Sequence, residues 1–253
     1  MIDDRRRPPI RQVRRAAVRL AALLLLGAAA SSFAAPPFED SMGQRMLACT
    51  GCHGPEGRAA PDGYYPRIAG KPDGYLFNQL LNFRDGRRHY ALMSNLLAPL
   101  GDAYLREIAN HFASLSLPYP PPAPSALAAA DNAAAARLVN EGDAGRGLPA
   151  CTTCHGATLT GTAPFVPGLV GLPRDYLNAQ LGAWRNGKRL AQEPDCMARI
   201  AKQLDGAEIG RISTWLAAQP VPAGAKPAAG FASPMPLDCG GVPKSAAAGT
   251  PSR

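Results

Sequence analysis

The sequence predicts an all-α protein made of two tandem copies of one small domain, and three observations carry that prediction. The pentapeptide Cys49-Thr50-Gly51-Cys52-His53 returns as Cys151-Thr152-Thr153-Cys154-His155, 102 positions later. The stretch after each pentapeptide also repeats, now at 101: Pro66 with Pro167, Gly70 with Gly171, Tyr75 with Tyr176, Leu76 with Leu177, Gln79 with Gln180 and Arg84 with Arg185. In its first copy Tyr75, Leu76, Gln79, Leu80 and Phe83 fall on one helical face. A period near 101 is too long for a solenoid unit of roughly 20–50 residues, so a whole domain is duplicated.

At the N-terminus, residues 1–35 read as a signal peptide and are set aside before the fold is argued. They hold Arg5, Arg6, Arg7, Arg11, Arg14, Arg15 and Arg19, then an Ala- and Leu-rich run from Ala16 to Ala30, then small residues leading to Ser32-Phe33-Ala34 as a cleavage site. The run falls short of the roughly 20 apolar residues that a permanent span wants, which leaves a retained anchor as the lesser alternative. Seven arginines against two aspartates make this segment +5, so the +8 of the whole chain falls to +3 beyond it. The basic balance therefore belongs to targeting and gives no ground for nucleic-acid binding. Export places the remainder in the periplasm, an oxidising compartment.

Residues 36–117 form the first domain. A helix from Asp40 to Ala48 leads into the first pentapeptide, and a Gly/Pro-rich loop around Tyr64-Tyr65-Pro66 comes after it. An amphipathic helix then runs from about Asp73 to Asp85 and stops at Gly86, and a last helix covers Asp102 to Leu115. Residues 118–131 are a Pro/Ala-rich linker whose proline density predicts an extended, semi-stiff connector. Residues 132–219 repeat the order, with helices from Asn132 to Glu141, Arg174 to Asn186 and Gly206 to Ala218. Residues 220–253 form a Pro/Gly/Ala-rich tail without regular structure.

C-x-x-C-H is the spacing that attaches haem covalently. Two thiols three positions apart add across the two vinyl groups of one porphyrin, and the histidine next to them is placed to coordinate the iron from one face. Two copies predict two covalently bound haem c groups, on Cys49 with Cys52 and on Cys151 with Cys154, with His53 and His155 on the metal. A zinc site drawn from both Cys pairs would leave each histidine unexplained. A thioredoxin-like redox pair needs a strand-loop-helix context that neither copy has. The flat apolar porphyrin also solves a folding problem, because a helical domain of about 80 residues with few large apolar side chains is a weak fold alone. Of the six cysteines, Cys196 and Cys239 remain. In an oxidising compartment they are expected to pair and pin the tail, with two free thiols as the alternative.

A haem that only carries electrons takes a ligand on each face, and Met/His ligation raises its potential. Among the six methionines, Met1 falls in the signal peptide, Met42 and Met46 precede the first motif on a packing helix, and Met235 lies in the tail. Met93 and Met197 occupy matching places, after the glycine that ends the middle helix and before the last helix, and are the expected second ligands. A methionine at helical spacing is ordinarily core; its pairing with a haem motif in both copies reverses that reading. His89 sits in a charged, exposed stretch and His111 inside the last helix of the first copy. No histidine comes after His155, which argues against bis-histidine ligation in the second copy.

Over roughly Phe38 to Gln219 the chain resembles the dihaem class I cytochromes c of the cytochrome c4 family. The resemblance rests on the two C-x-x-C-H motifs, the paired Pro-x-x-x-Gly loops, the Tyr-Leu-x-x-Gln-Leu helices and the two late methionine segments. It implies two cytochrome c-like domains, thioethers at the four motif cysteines, proximal ligands His53 and His155, and distal ligands Met93 and Met197. It also implies that the carbonyls of Pro66 and Pro167 receive the free ring N–H of each proximal histidine. The long proline linker and the tail bearing Cys239 depart from the usual pattern.

The implied function is that of a periplasmic electron carrier, not an enzyme. Its partners would be a quinol-oxidising cytochrome complex (quinol–cytochrome c reductase) or a dehydrogenase on one side and a terminal oxidase on the other, with membrane contact only through them. A second reading is an electron-accepting subunit of a dehydrogenase such as a flavocytochrome, because the segment from Met197 to Lys202 also resembles the dihaem subunits of sulfur-oxidising complexes. A dihaem peroxidase, the third reading, needs an open iron face. From the small apolar content, a chain produced without haem attachment is expected to be largely unfolded, and a far-ultraviolet circular dichroism spectrum with native helix content would contradict this.

Overall fold

Helices and irregular loops make up almost all of the computed structural model, which describes residues 14, 39–60 and 63–247. Apart from Arg14, the expected signal peptide lies outside the described residues. Among the described residues no helix is long and apolar enough to cross a membrane.

The first half contains α1 (Met42–Arg45), α2 (Leu47–His53), α3 (Asp73–Arg84), α4 (Ala91–Leu97) and α5 (Asp102–Ser114). A helix ending at Ala48 was the expectation; instead α2 runs through the whole first motif. Helical geometry explains this, since residues three apart share a face and the two thiols then point the same way. Gly54 ends α2 with φ +74°, and a Cβ there would run into the Ala59 carbonyl, so the reversal after His53 requires glycine. Gly156 does the same after His155, with φ +83°. Helix α5 buries Leu105, Ile108, Ala109 and Phe112, an i, i+3, i+4, i+7 stripe that packs on Leu76 and Phe83 of α3.

The second half contains α6 (Ala129–Asn140), α7 (Cys151–His155), α8 (Arg174–Arg185), α9 (Cys196–Gln203) and α10 (Gly206–Ala217). A ribbon of β1 (Gly161–Thr162) and β2 (Val166–Pro167) lies between α7 and α8. Helix α10 repeats the stripe of α5 with Ile209, Ile212, Ser213 and Leu216, and packs on α6 and α8. Asp205 starts α10 with a reciprocal capping box to Glu208, which also holds Arg146 at 2.9 Å. Helix α6 begins three residues before the expected start, inside the stretch read as linker, because the Ala-rich run has high helix propensity.

The connector between the halves lacks regular structure but is held in place. Arg67 donates to the carbonyls of Leu117 (2.6 Å) and Pro118 (3.0 Å), and its guanidinium lies 4.0 Å from the Tyr119 ring centre. The two halves also touch directly: the Tyr75 N–H donates to the Pro164 carbonyl at 2.9 Å, and a Cβ on Gly74 would press on the Phe165 ring.

The tail is irregular up to a short α11 (Lys244–Ala247) and is pinned at several points. Cys196 and Cys239 form a disulfide. The Gly240 N–H donates to the Pro194 carbonyl, and Asn78 of α3 donates to the Gly241 carbonyl at 2.8 Å. The double variant Cys196→Ser/Cys239→Ser is expected to lose about 2–4 kcal/mol of stability. Denaturant unfolding measures that loss, and faster hydrogen exchange at the Gly240 amide reports the loosened tail.

Candidate functional site

Each motif presents its histidine in one way. His53 and His155 are 8% and 7% exposed. In both, Nδ1 lies 2.7 Å from a proline carbonyl, Pro66 for His53 and Pro167 for His155. A carbonyl oxygen only accepts, so Nδ1 carries the proton and Nε2 keeps its lone pair. Burial pulls both imidazoles below the ordinary histidine range, with the neighbouring cations Arg88 and Lys71 adding to the effect. Both rings are thus neutral, oriented, and ready to bind a metal through Nε2.

The motif cysteines are outside any disulfide. Burial raises the thiols of Cys49, Cys151 and Cys154, that of Cys151 to about 11. Cys52 is exposed.

In the second half, Cys151, Cys154, His155, Pro167 and Met197 line a single cavity of about 210 Å³ whose walls are mostly apolar. Met197 is the second residue of α9, next to Cys196, so the disulfide fixes the helix that carries it. Met235, Leu237 and Val242 of the tail also line the cavity. In the first half, Met93 sits on α4 and packs, with Cys49, against the core of Met46, Leu76 and Phe112. His89 is exposed in the stretch between α3 and α4, and His111 is half-buried on α5. Helices α4 and α9, which bear the two methionines, were not read from the sequence.

Sequence reasoning also missed what lies where the halves meet. Arg88 donates to Gln79 Oε1 at 2.9 Å and to Gln180 Oε1 at 2.8 Å. Arg189 returns the pattern, donating to Gln180 Oε1 at 2.5 Å and Gln79 Oε1 at 2.8 Å. Arg88 stacks on Phe83 and Arg189 on Trp184, residues that match at the 101 spacing. The backbones of Arg88 and Arg189 form an antiparallel bridge. The same spacing relates the two arginines themselves and was the available signal; only the glutamines were noticed. Among the described residues no ion pair reaches Arg67, Lys71, Arg88 or Arg189.

A covalently anchored, carboxylate-bearing porphyrin fits these residues. Its thioether partners lie on one helical face, a neutral imidazole and a thioether sulfur line the apolar cavity of the second half, and buried cations nearby have no acidic partner. Buried unpaired charge costs several kcal/mol, so an anion belongs there.

No protein-family model matches the chain. It is 38% identical over 190 residues to a "Thiosulfate dehydrogenase electron acceptor" of Thiomonas intermedia, covering 75% of this chain and 86% of the relative. It is 33% identical over 180 residues to a cytochrome c4 of Pseudomonas aeruginosa, covering 70% and 86%. Among solved structures, reduced recombinant cytochrome c4 from Pseudomonas stutzeri superposes with a TM-score of 0.60 at 28% identity, covering 70% of this chain and 95% of that one. Thiosulfate dehydrogenase (TsdBA) from Marichromatium purpuratum also superposes with a TM-score of 0.60, at 33% identity. That match covers 68% of this chain, which spans only 36% of the length of the solved one.

Truncating Arg189, 4% exposed, leaves the oxygens of Gln79 and Gln180 short of a donor. Arg189→Ala is expected to cost about 1.5–3 kcal/mol in denaturant unfolding. Arg88→Ala, at a half-buried position, is expected to cost less.

Proposed function

This chain belongs to the dihaem cytochromes c of the cytochrome c4 type, and from that premise we propose that it works as a periplasmic shuttle, taking electrons from a quinol-oxidising complex or a dehydrogenase and delivering them to a terminal oxidase. It carries two covalently bound haem c groups and transfers electrons. When bound, each haem supplies one-electron ferric/ferrous chemistry. The chain supplies the rest. Cys49, Cys52, Cys151 and Cys154 anchor the two groups. His53 and His155 offer Nε2 in a fixed orientation, held by the Pro66 and Pro167 carbonyls. Met93 and Met197 would supply the second ligand to each iron, and with both ligands coming from the chain an electron carrier is favoured over an enzyme such as a peroxidase.

The observation that carries this reading is the second cavity, where Met197 lines the same apolar space as an imidazole whose other nitrogen is already committed to Pro167. Met93→Ala and Met197→Ala are each expected to abolish about half of the methionine-to-ferric-iron absorption and to lower the midpoint potential of one haem. An unchanged spectrum and potential in either variant would remove that methionine from the ligand set.

A second reading has its own support. The 38% identity is to a thiosulfate dehydrogenase electron acceptor, and a thiosulfate dehydrogenase is among the structural neighbours. Under this reading the chain accepts electrons directly from a thiosulfate-oxidising enzyme. Thiosulfate added to the oxidised protein with such an enzyme would then reduce both haems at catalytic rates, and a general shuttle would stay oxidised under those conditions.

A further inference from the structure

Lys71 belongs to the first half, in the loop that leads into α3, yet it lines the cavity of the second half together with Cys151, His155 and Met197. It is 8% exposed. Among the described residues its ammonium makes no ion pair and no hydrogen bond. The groups that act on it electrostatically are Tyr176, Tyr119, Arg67 and Arg189, with no carboxylate among them. The two arginines are occupied elsewhere: Arg189 by Gln79, Gln180 and Trp184, and Arg67 by Ala69, Leu117, Pro118 and Tyr119. Of these three cations, Lys71 alone keeps all its donors for what enters the cavity, which the Trp184 indole N–H, likewise without a partner, also lines.

The two copies differ at this point. Gly70-Lys71-Pro72 matches Gly171-Leu172-Pro173 at the 101 spacing, with the flanking glycine and proline in register. Leu172 is a core residue, 7% exposed and packed among Val170, Leu177 and Ile209. No shift of register produces the difference, and Leu172 has no charge to offer in return.

We infer that Lys71 is a cross-domain anchor for the second haem, its ammonium binding a carboxylate of the porphyrin held by Cys151 and Cys154. This rests on the haem assignment above and goes beyond it: the second haem is held partly by the first domain, and the domain boundary is closed by an ion pair that forms only when that haem is in place. The charge also acts on the iron. The ferric state carries one more positive charge than the ferrous, so a nearby buried cation disfavours oxidation and raises the potential of the second haem.

The test uses the full dihaem protein, with haem content counted first. A preparation without two haems per chain refutes the haem assignment rather than the anchor. In Lys71→Met, a redox titration read through the hyperfine-shifted haem methyl resonances is expected to show a lower midpoint for one haem only. The haem concerned is identified by its magnetic contacts to Trp184, which lines the second cavity. Lys71→Arg keeps the charge and is expected to keep the potential near that of the wild type. Lys71→Gln provides the neutral comparison where the methionine variant folds poorly, and is expected to shift the same haem in the same direction. A shift of the first haem alone, equal shifts of both, or no shift would each overturn the anchor.

Discussion

The 2.7 Å hydrogen bond from a buried histidine to a proline carbonyl, made twice, is the constraint on which the rest of the structure depends. It settles which ring nitrogen carries the proton, and so which is left for a metal. To make it, the chain reverses sharply after each histidine and brings back a loop some 12 to 13 residues later. Gly54 and Gly156 permit the reversal at positive φ. The returning loop then leads directly into α3 or α8, which packs on the last helix of its half. The ligand geometry and the helical core are therefore consequences of one local arrangement, repeated at a near-constant spacing.

The second organising feature is positive charge that the protein does not balance for itself. Arg67, Lys71 and Arg189 are buried and Arg88 is half-buried, none with an acidic partner among the described residues. Two devices soften the cost for the arginines. Glutamine oxygens accept from the guanidiniums, and aromatic faces cover their planes, each contributing a modest amount. Neither device substitutes for an anion. A pair of porphyrins brings four carboxylates, so cofactor attachment and domain association belong to one electrostatic problem, which also bears on why the chain without haem should be poorly folded.

Much of this was legible in the sequence because its signals are local. Helices α3, α5, α8 and α10 end within a residue or two of their expected limits, since Gly86 and Gly187 stop the middle helices and Asp205 starts the last one. The expected pairing of Cys196 with Cys239 is also what the structure shows. Helix α4 escaped notice because it has seven residues and no side-chain cap at Tyr90. Helix α9 did carry a signal, Asp195 accepting from the Ala198 N–H, but in a segment read only for its methionine. The β1–β2 ribbon has two residues per strand, too few for alternation to register. The Arg88–Arg189 contact was out of reach for a different reason. A repeat reveals that two positions are equivalent, and says nothing about whether the copies face each other.

The duplication then diverged in ways that bear on electron flow. Among the described residues only the second copy has its methionine helix fixed by a disulfide, and the tail lines its cavity through Met235, Leu237 and Val242. Only the first copy contributes a buried ammonium across the boundary. Among the described residues the first copy also carries most of the large exposed apolar side chains, with Leu47, Tyr64, Leu92 and Leu96 against Leu190 in the second. The disulfide, the tail and the lysine all bear on the second cavity: the first fixes the helix that carries Met197, the second adds Met235, Leu237 and Val242 to the lining, and Lys71 reaches it from the first half. A redox centre with more protein and less solvent around it reorganises less when its charge changes, whereas one near exposed apolar side chains is easier for another protein to approach. Two sites built on the same motif and the same histidine–proline bond thus acquire different surroundings, and the difference lies in the connector, the tail and one lysine rather than in the motifs themselves.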